Sequence, residues 1–308
     1  MKINELFDGW SGNITLLVGT VATKTKKDGG EYLDVVCMDS TGSIICKVWR
    51  PEDFVGIDDG KVVECRSAKC QSYNGTLQLT CTFFSILNDE EVEKYLPCSK
   101  YTKESMLKAL DTILNKVENK YCKQLLSTFR NDEEFMKRFC KHGAGQFVHG
   151  AYVGGLLEHS LRVTQIAYRI AMLYSNVNKD LVITAAFLHD IGKLEEFTSL
   201  PNCEYSDAGN YLGHIAIGAI RIAEVCGTIP DFPDDIKLKI IHCILSHHGK
   251  LEYGAPKLPA IPEAFIISEA DMIDSRMNIF ERSIVETGWS ERNYLLGTCV
   301  HSGHFKDE

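Results

Sequence analysis

Ten histidines occur in the 308 residues, and none precedes His142. Imidazole binds metals and moves protons near neutral pH, so this distribution predicts that the two parts of the chain do different work. Several of these histidines interrupt apolar stretches of helical period. His159 lies in GGLLEHSLRVTQIAYRIA, where Leu156, Leu157, Leu161, Ile166 and Ile170 carry the apolar pattern. His189 and Asp190 close DLVITAAFLHDIGK, which Gly192 stops, and His214 stands near the start of GHIAIGAIRIAEVCG. His247 and His248 close DIKLKIIHCILSHHG before Gly249, and Asp271 lies within PEAFIISEADMIDSRM.

A buried imidazole or carboxylate is costly unless something satisfies it. Each of these residues alone reads as a hydrogen-bonded core side chain. Together, H…HD…H…HH…D over five predicted helices is hard to produce by packing alone. A divalent ion satisfies several such groups at once, and imidazole with carboxylate suits first-row metals. Glu158 adjoins His159 but lies about 100° around a helix and reads as structural. Gly192-Lys193 lacks the preceding glycine of a phosphate-binding P-loop, so ATP hydrolysis is not indicated.

The elements that must position this set are helices separated by short polar turns. Met106, Leu107, Leu110, Ile113, Leu114 and Val117 share one helical stripe, and Asn131 with Glu134 reads as an N-cap and its capping-box partner. Apolar residues between 101 and 129, read as exposed, suggest a homo-oligomer. The earlier residues alternate with period two instead. Ile14–Val21, Tyr32–Cys37, Ile44–Trp49, Lys61–Lys69 and Thr76–Leu87 read as five antiparallel strands, with turns at Asp39–Gly42 and Tyr73-Asn74-Gly75. In the last strand Leu77, Leu79, Cys81 and Phe83 are expected on one face. Five short strands suit a small closed barrel.

The net charge of −9 makes a protein that coats nucleic acid non-specifically unlikely to be the answer. Twelve cysteines without a C-x-x-C pair read as reduced and buried. No apolar signal core opens the chain, and no stretch of about 18 apolar residues occurs. A cytoplasmic protein is expected.

The barrel segment, GGEYLDVVCMDSTGSIICKVW with VVECRSAKCQSYNGTLQLTCTFFSI, resembles the OB-fold of the tRNA-anticodon type. The resemblance implies single-strand binding through Lys24, Lys26, Lys27, Tyr32, Lys47, Trp49, Lys69, Tyr73 and Gln78, with Asp28, Glu31, Asp34 and Asp39 weakening the patch. The histidine pattern resembles the HD-domain superfamily of metal-dependent phosphohydrolases. GGLLEHS, FLHDIGK, GNYLGHI, ILSHHG and EYGAPKLP, with Asp271 and Asp274, are most similar to the YhaM family of OB-fold plus HD-domain 3′-5′ exoribonucleases. The expected fold is thus multidomain α and β. A five-stranded OB-type barrel (1–90) precedes helical linker elements (91–141) and an all-α HD-domain bundle (142–308).

The resemblance implies two divalent ions, manganese first, with iron, cobalt, zinc or magnesium as alternatives. His159, His189, Asp190 and Asp271 match the first metal site. His214, His247 and His248 match the second, and Asp190 is placed to bridge. Lys193 matches a lysine that reaches the substrate phosphate, and His149 and Asp274 fall on the substrate side. The family's usual His pair before the GGLLEH helix is Val148-His149 here, and its Asp-Ala is Asp274-Ser275. The implied activity is 3′-5′ hydrolysis of single-stranded RNA, and of single-stranded DNA as a second substrate, to nucleoside monophosphates by metal-activated water. The alternatives are an HD phosphohydrolase acting on nucleotides or cyclic dinucleotides, and a regulatory single-strand-binding protein. The segment Thr198–Leu212, between two ligand-bearing helices, is expected to border the pocket.

Overall fold

The computed structural model describes residues 1–26, 28–73, 76–88, 92–145, 152–200 and 203–303. Lys27, Asn74, Gly75, Val148, His149 and His304 lie outside the described residues. Met1–Cys98 with Ser199–Cys203 form one compact unit, and the remainder from Ser99 onward forms another.

The first unit is built from β1 (Ser11–Thr25), β2 (Glu31–Asp39), β3 (Gly42–Val48), β4 (Val62–Tyr73), β5 (Thr76–Thr80) and β6 (Phe83–Ile86). The strands run β1-β2-β3-β5-β4, and β1 also pairs with β4, so five of them close into a barrel. β3 and β5 pair in parallel and the remaining pairs are antiparallel. This order and closure are those of an OB-type barrel. The long β1 serves two neighbours because an irregularity between Val18 and Val21 bends it. Its first half lies on β4 and its second half on β2. Leu16, Val18, Val35, Cys37, Cys46, Val48, Val63, Cys65 and Leu79 fill the interior with no exposed surface. The twelve cysteines are all free, and most are buried.

Two strand-level expectations are corrected. The run Thr76–Leu87 is two strands, β5 and β6, both lying on β4 in one register. β4 carries an extra residue near Ser67, whose φ is +52°, and this reverses which side chains face inward. Opposite it the partner strand breaks after Cys81. Phe83 therefore points outward, 63% exposed, while Phe84 packs edge-on against buried Phe54 at 4.9 Å. Asp39 is not a surface acid. It is 1% exposed and accepts hydrogen bonds from the Ile3 and Thr41 backbone amides, each at 2.8 Å.

The second unit contains α1 (Lys103–Leu114), α2 (Lys120–Asn131), α3 (Glu133–Lys141), α4 (Gly155–Ala171), α5 (Lys179–Leu188), α6 (Lys193–Glu196), α7 (Asp207–Thr228), α8 (Asp234–Ser246) and α9 (Pro262–Ser283). A hairpin that the sequence did not announce follows, formed by β7 (Trp289–Asn293) and β8 (Thr298–His301). α5 is apolar around its whole circumference and is buried from Leu181 to Leu188, as a central helix must be. α4, α8 and α9 surround it. The apolar residues of α1 and α2, including Met106, Leu110, Leu125 and Phe129, belong to the same core. They are interior, so the exposed stripe that suggested a homo-oligomer is not there.

Side-chain caps set the helix starts. Asp132, not Asn131, caps α3 by accepting from the Phe135 amide at 2.9 Å, and Asn131 is the last residue of α2. Ser206 caps α7 through the Gly209 amide, so α7 begins at Asp207, six residues ahead of the Gly213 expected from sequence. The helix bends at Gly213, whose φ of +70° and ψ of 156° are not helical. α6 and α7 meet without room for a side chain. A β-carbon on Gly192 would overlap the His214 carbonyl oxygen and stand 2.7 Å from the Gly218 nitrogen. Gly192→Ala should therefore lower unfolding free energy by about 1–3 kcal/mol. An unchanged denaturant midpoint would contradict this close approach.

Candidate metal centre and nucleic-acid interface

The five histidines of the pattern are all clamped at Nδ1. His189 and His247 each follow the last turn of a helix, the buried α5 and the half-buried α8. Each turns Nδ1 onto the carbonyl three residues earlier, that of Ala186 at 2.7 Å and that of Ile244 at 2.6 Å. His159 on α4 meets Asp274 Oδ2 at 2.7 Å. His214, just beyond the bend in α7, meets Glu196 Oε1 at 2.9 Å, and His248 meets the Tyr253 carbonyl at 2.8 Å. An acceptor at Nδ1 places the ring proton there and leaves the Nε2 lone pair free for a metal.

Those Nε2 atoms converge on Asp190. Its Oδ2 lies 3.3 Å from Nε2 of both His159 and His189. Its Oδ1 lies 3.6 Å from His214 Nε2 and 3.5 Å from His247 Nε2. His248 Nε2 is 3.3 Å from His214 Nε2, and Asp271 Oδ1 is 3.2 Å from His159 Nε2. Three overlapping groups have ligand atoms within 4.8 Å of one another: His159, His189 and Asp271; His189, Asp190 and His247; His214, His247 and His248. All seven residues expected as ligands are brought together, and Asp190 offers one oxygen to each end.

The electrostatics fit a cation. Burial would raise the Asp190 carboxyl, but the Lys193 ammonium and the neighbouring imidazoles hold it well below the usual carboxylate range. Burial likewise opposes ionisation of Asp271, and His159 pulls it down. His159 would be depressed by burial, yet Asp190, Asp271 and Asp274 together hold it well above the usual histidine range. This end of the cluster demands positive charge. At the other end, burial pushes His247 and His248 down, which keeps them neutral and able to ligate. Asp190 Oδ1 and His247 Nε2 are buried without a hydrogen-bond partner among the described residues, a costly arrangement that a shared divalent ion relieves.

Around the ligands, Lys193 Nζ rests 2.6 Å from Asp190 Oδ2. Asp274, expected on the substrate side, is 5% exposed and turned to His159. Arg162 stands 3.6 Å from its other oxygen and 2.7 Å from Glu158. Glu158 also accepts from the Tyr152 hydroxyl at 2.9 Å, consistent with its structural reading. Where the Asp-Ser departure occurs, the Ser275 hydroxyl reaches Asp271 at 3.4 Å. Sequence reasoning missed Glu196. It receives both the His214 amide and Nδ1 at 2.9 Å, and His214 draws its carboxyl down against the effect of burial. Its only signal was its place three residues after Lys193, in an acidic pair that resembles a solvated helix face. Of the remaining described histidines, His142 is buried against the carbonyls of Gly143 and Phe197. His242 accepts from the Ala260 amide, and His301 packs edge-on against Trp289.

On the barrel, the expected strand-binding residues share the outer face. Lys24 lies opposite Tyr32, Asp34 opposite Lys47, and Gln78 beside Ile45 and Gln71. Tyr32 and Trp49 stack with ring centroids 5.0 Å apart. Lys47 Nζ sits 5.0 Å from the Tyr32 ring and 2.6 Å from Asp34. Lys26 donates to the Trp49 carbonyl at 2.7 Å. Lys69 and Tyr73 follow along β4, and Tyr73 is 65% exposed. The face is aromatic and only weakly cationic, because Asp34 neutralises Lys47.

Residues 156–276 match the family model described as HD domain. The matched stretch contains every ligand candidate, and an HD domain indicates a metal-dependent phosphohydrolase. The barrel segment is similar to several solved structures. The second OB-fold domain of replication protein A from Methanococcus maripaludis is 23% identical, over 30% of this chain and 97% of that one, with a TM-score of 0.25. The replication factor A related protein from Methanobacterium thermoautotrophicum is 17% identical, over 30% and 93%, with a TM-score of 0.25. Schizosaccharomyces pombe Pot1pC bound to ssDNA is 13% identical, over 30% and 88%, with a TM-score of 0.26. Among the described residues no helix is long and apolar enough to cross a membrane.

A partner that orients a metal ligand is worth about 10–100-fold in metal affinity. Glu196→Gln should weaken manganese binding in calorimetric titration by that factor, with the helical signal unchanged. Unaltered affinity would remove Glu196 from the centre's support.

Proposed function

We propose that the protein is a metal-dependent 3′-5′ exonuclease that hydrolyses single-stranded RNA, and single-stranded DNA as a second substrate, to nucleoside monophosphates. One observation carries the reading: five clamped imidazoles and a two-ended aspartate face one point in a chain that also presents an aromatic barrel face. The HD motifs and the preceding barrel resemble the YhaM family of OB-fold plus HD-domain exoribonucleases. His159, His189, Asp190 and Asp271 would hold one divalent ion, and His214, His247 and His248, with Asp190 between, a second. Bound there, such ions would supply Lewis-acid polarisation of a phosphodiester and a water of lowered pKa. Asp274 and Glu196 fix the rings of His159 and His214, so no ligand must reorient during reaction. Lys193 brings an ammonium against the same point to receive a non-bridging phosphate oxygen. His149 keeps its proposed place on the substrate side.

On the barrel, Tyr32 and Trp49 would stack bases, while Lys24, Lys26, Lys27, Lys47, Lys69, Tyr73 and Gln78 meet the backbone or base edges. Stacking accepts every base, as a strand-degrading enzyme requires. A second reading, hydrolysis of nucleotides or cyclic dinucleotides, draws on the weak charge of that face, since a small ligand needs no barrel. A binding protein without catalysis leaves the complete donor set unexplained.

With manganese, the protein should convert 3′-labelled single-stranded RNA to labelled monophosphate, and Asp190→Ala should abolish conversion. Intact RNA in both samples would end the nuclease reading. Preference for a cyclic dinucleotide or a deoxynucleoside triphosphate in direct competition would establish the second reading instead. Trp49→Ala should raise KM about 5- to 100-fold, the worth of one base stack, with little change in kcat. A KM that does not move would take Trp49 out of the strand path.

A further inference from the structure

The outer side of α1 and α4 holds a cleft of about 550 Å³. It is lined by Ser105, Lys108 and Thr112 of α1, by Lys116 just beyond its end, and by Gln165, Tyr168 and Arg169 of α4, with Ala109 and Ile113 behind them. The volume is that of a small-molecule site. Three cations line it and no carboxylate does, although acids outnumber bases 42 to 33 in the chain. None of the three cations forms an ion pair among the described residues. Of the two carboxylates of α1, Asp111 is held in a two-point pair with Arg130 of α2 at 2.8 and 3.0 Å, and Glu104, one turn before Lys108, is outside the lining. The cleft is therefore cationic by arrangement and not by composition.

Its chemistry is more specific than charge. Lys116 Nζ lies over the Tyr168 ring, 5.7 Å from its centre, so a cation and an aromatic ring share the cleft. Gln165, Thr112 and Ser105 add an amide and two hydroxyls. Lys108, Lys116 and Arg169 suit phosphate oxygens. Tyr168 suits a planar base, and the neutral polar groups suit its edge or a ribose. Gln165, Tyr168 and Arg169 follow His159 by 6, 9 and 10 positions on the same helix. At about 100° per residue Tyr168 lies opposite His159, Gln165 about 120° and Arg169 about 80° around the helix, and all three stand roughly 9–15 Å along it. The cleft is thus separate from the metal centre.

We propose that this cleft is a second binding site for a nucleotide, taken either as a free mononucleotide or as one residue of a single strand. The site does not depend on which substrate the metal centre hydrolyses.

Photo-crosslinking of the intact chain tests it, with an azidoadenosine monophosphate in one arm and a thiouridine-bearing single strand in the other. Adducts are mapped by peptide mass spectrometry. Label should fall within 103–117 and 163–171. Lys108→Glu with Arg169→Glu, both exposed positions, should cut that label about tenfold, as loss of charge-assisted phosphate contacts implies. Label elsewhere and the melting temperature should stay the same. Adducts from the mononucleotide arm identify a free nucleotide, and adducts from the strand arm alone identify a strand residue. No adduct in either segment, or adducts indifferent to charge reversal, would overturn the proposal.

Discussion

The centre of the helical unit depends on one electrostatic constraint: Asp190 is 1% exposed and must remain ionised beside two further carboxylates. Removing a charge from water costs several kcal/mol even after relaxation. Lys193 and His159 return part of that cost. The rest of the unit is arranged around the same need. α5 is buried on every side because it must carry His189 and Asp190 to the middle. α8 repeats the device, ending in His247 with the same backward hydrogen bond. Gly192 and Gly218 bring α6 against α7 so that Glu196 can reach His214. Each element solves a positioning problem that Asp190 creates.

This constraint also explains why the ring proton of every ligand histidine is engaged. An imidazole free to rotate could offer either nitrogen, and its orientation would be set only on binding. Here three rings are fixed by backbone carbonyls and two by buried carboxylates. The two carboxylate-held rings, His159 and His214, are 10% and 13% exposed, and each receives a stronger, charge-assisted bond.

The clustered histidines and aspartates were legible in the sequence because metal chemistry restricts residue type and leaves polar residues at apolar helix positions. The supporting groups were less legible for a physical reason. A carbonyl such as that of Tyr253 has no side-chain signature. Glu196 looks like any acid of a short exposed helix until α7 is seen to cover it. On the barrel, alternation placed the inward residues through Cys81, failed at Phe83, and gave no sign that β3 and β5 pair in parallel. The parity change there originates across the sheet, at Ser67, and period-two reading of one strand cannot register an extra residue in its neighbour. Asp39 was misjudged similarly, since its burial comes from Ile3, far away in sequence. The capping assignment slipped by one residue because Asn131 and Asp132 are chemically equivalent candidates, and only the backbone path decides between them.

The charge of the whole chain bears on how a phosphate-bearing ligand is handled. With a net charge of −9, long-range attraction does not concentrate polyanions on this surface. Positive charge is instead local, at Lys193 in the metal centre and at Lys108, Lys116 and Arg169 in the α1–α4 cleft. The barrel face relies on Tyr32 and Trp49, with Lys47 partly neutralised by Asp34. Stacking energy is short-ranged and nearly indifferent to base identity. A strand held mainly by stacking can advance by one base without breaking a dense set of ion pairs. Weak cationic character on the barrel is therefore compatible with strand handling, since positive charge is concentrated instead beside Asp190 and in the α1–α4 cleft.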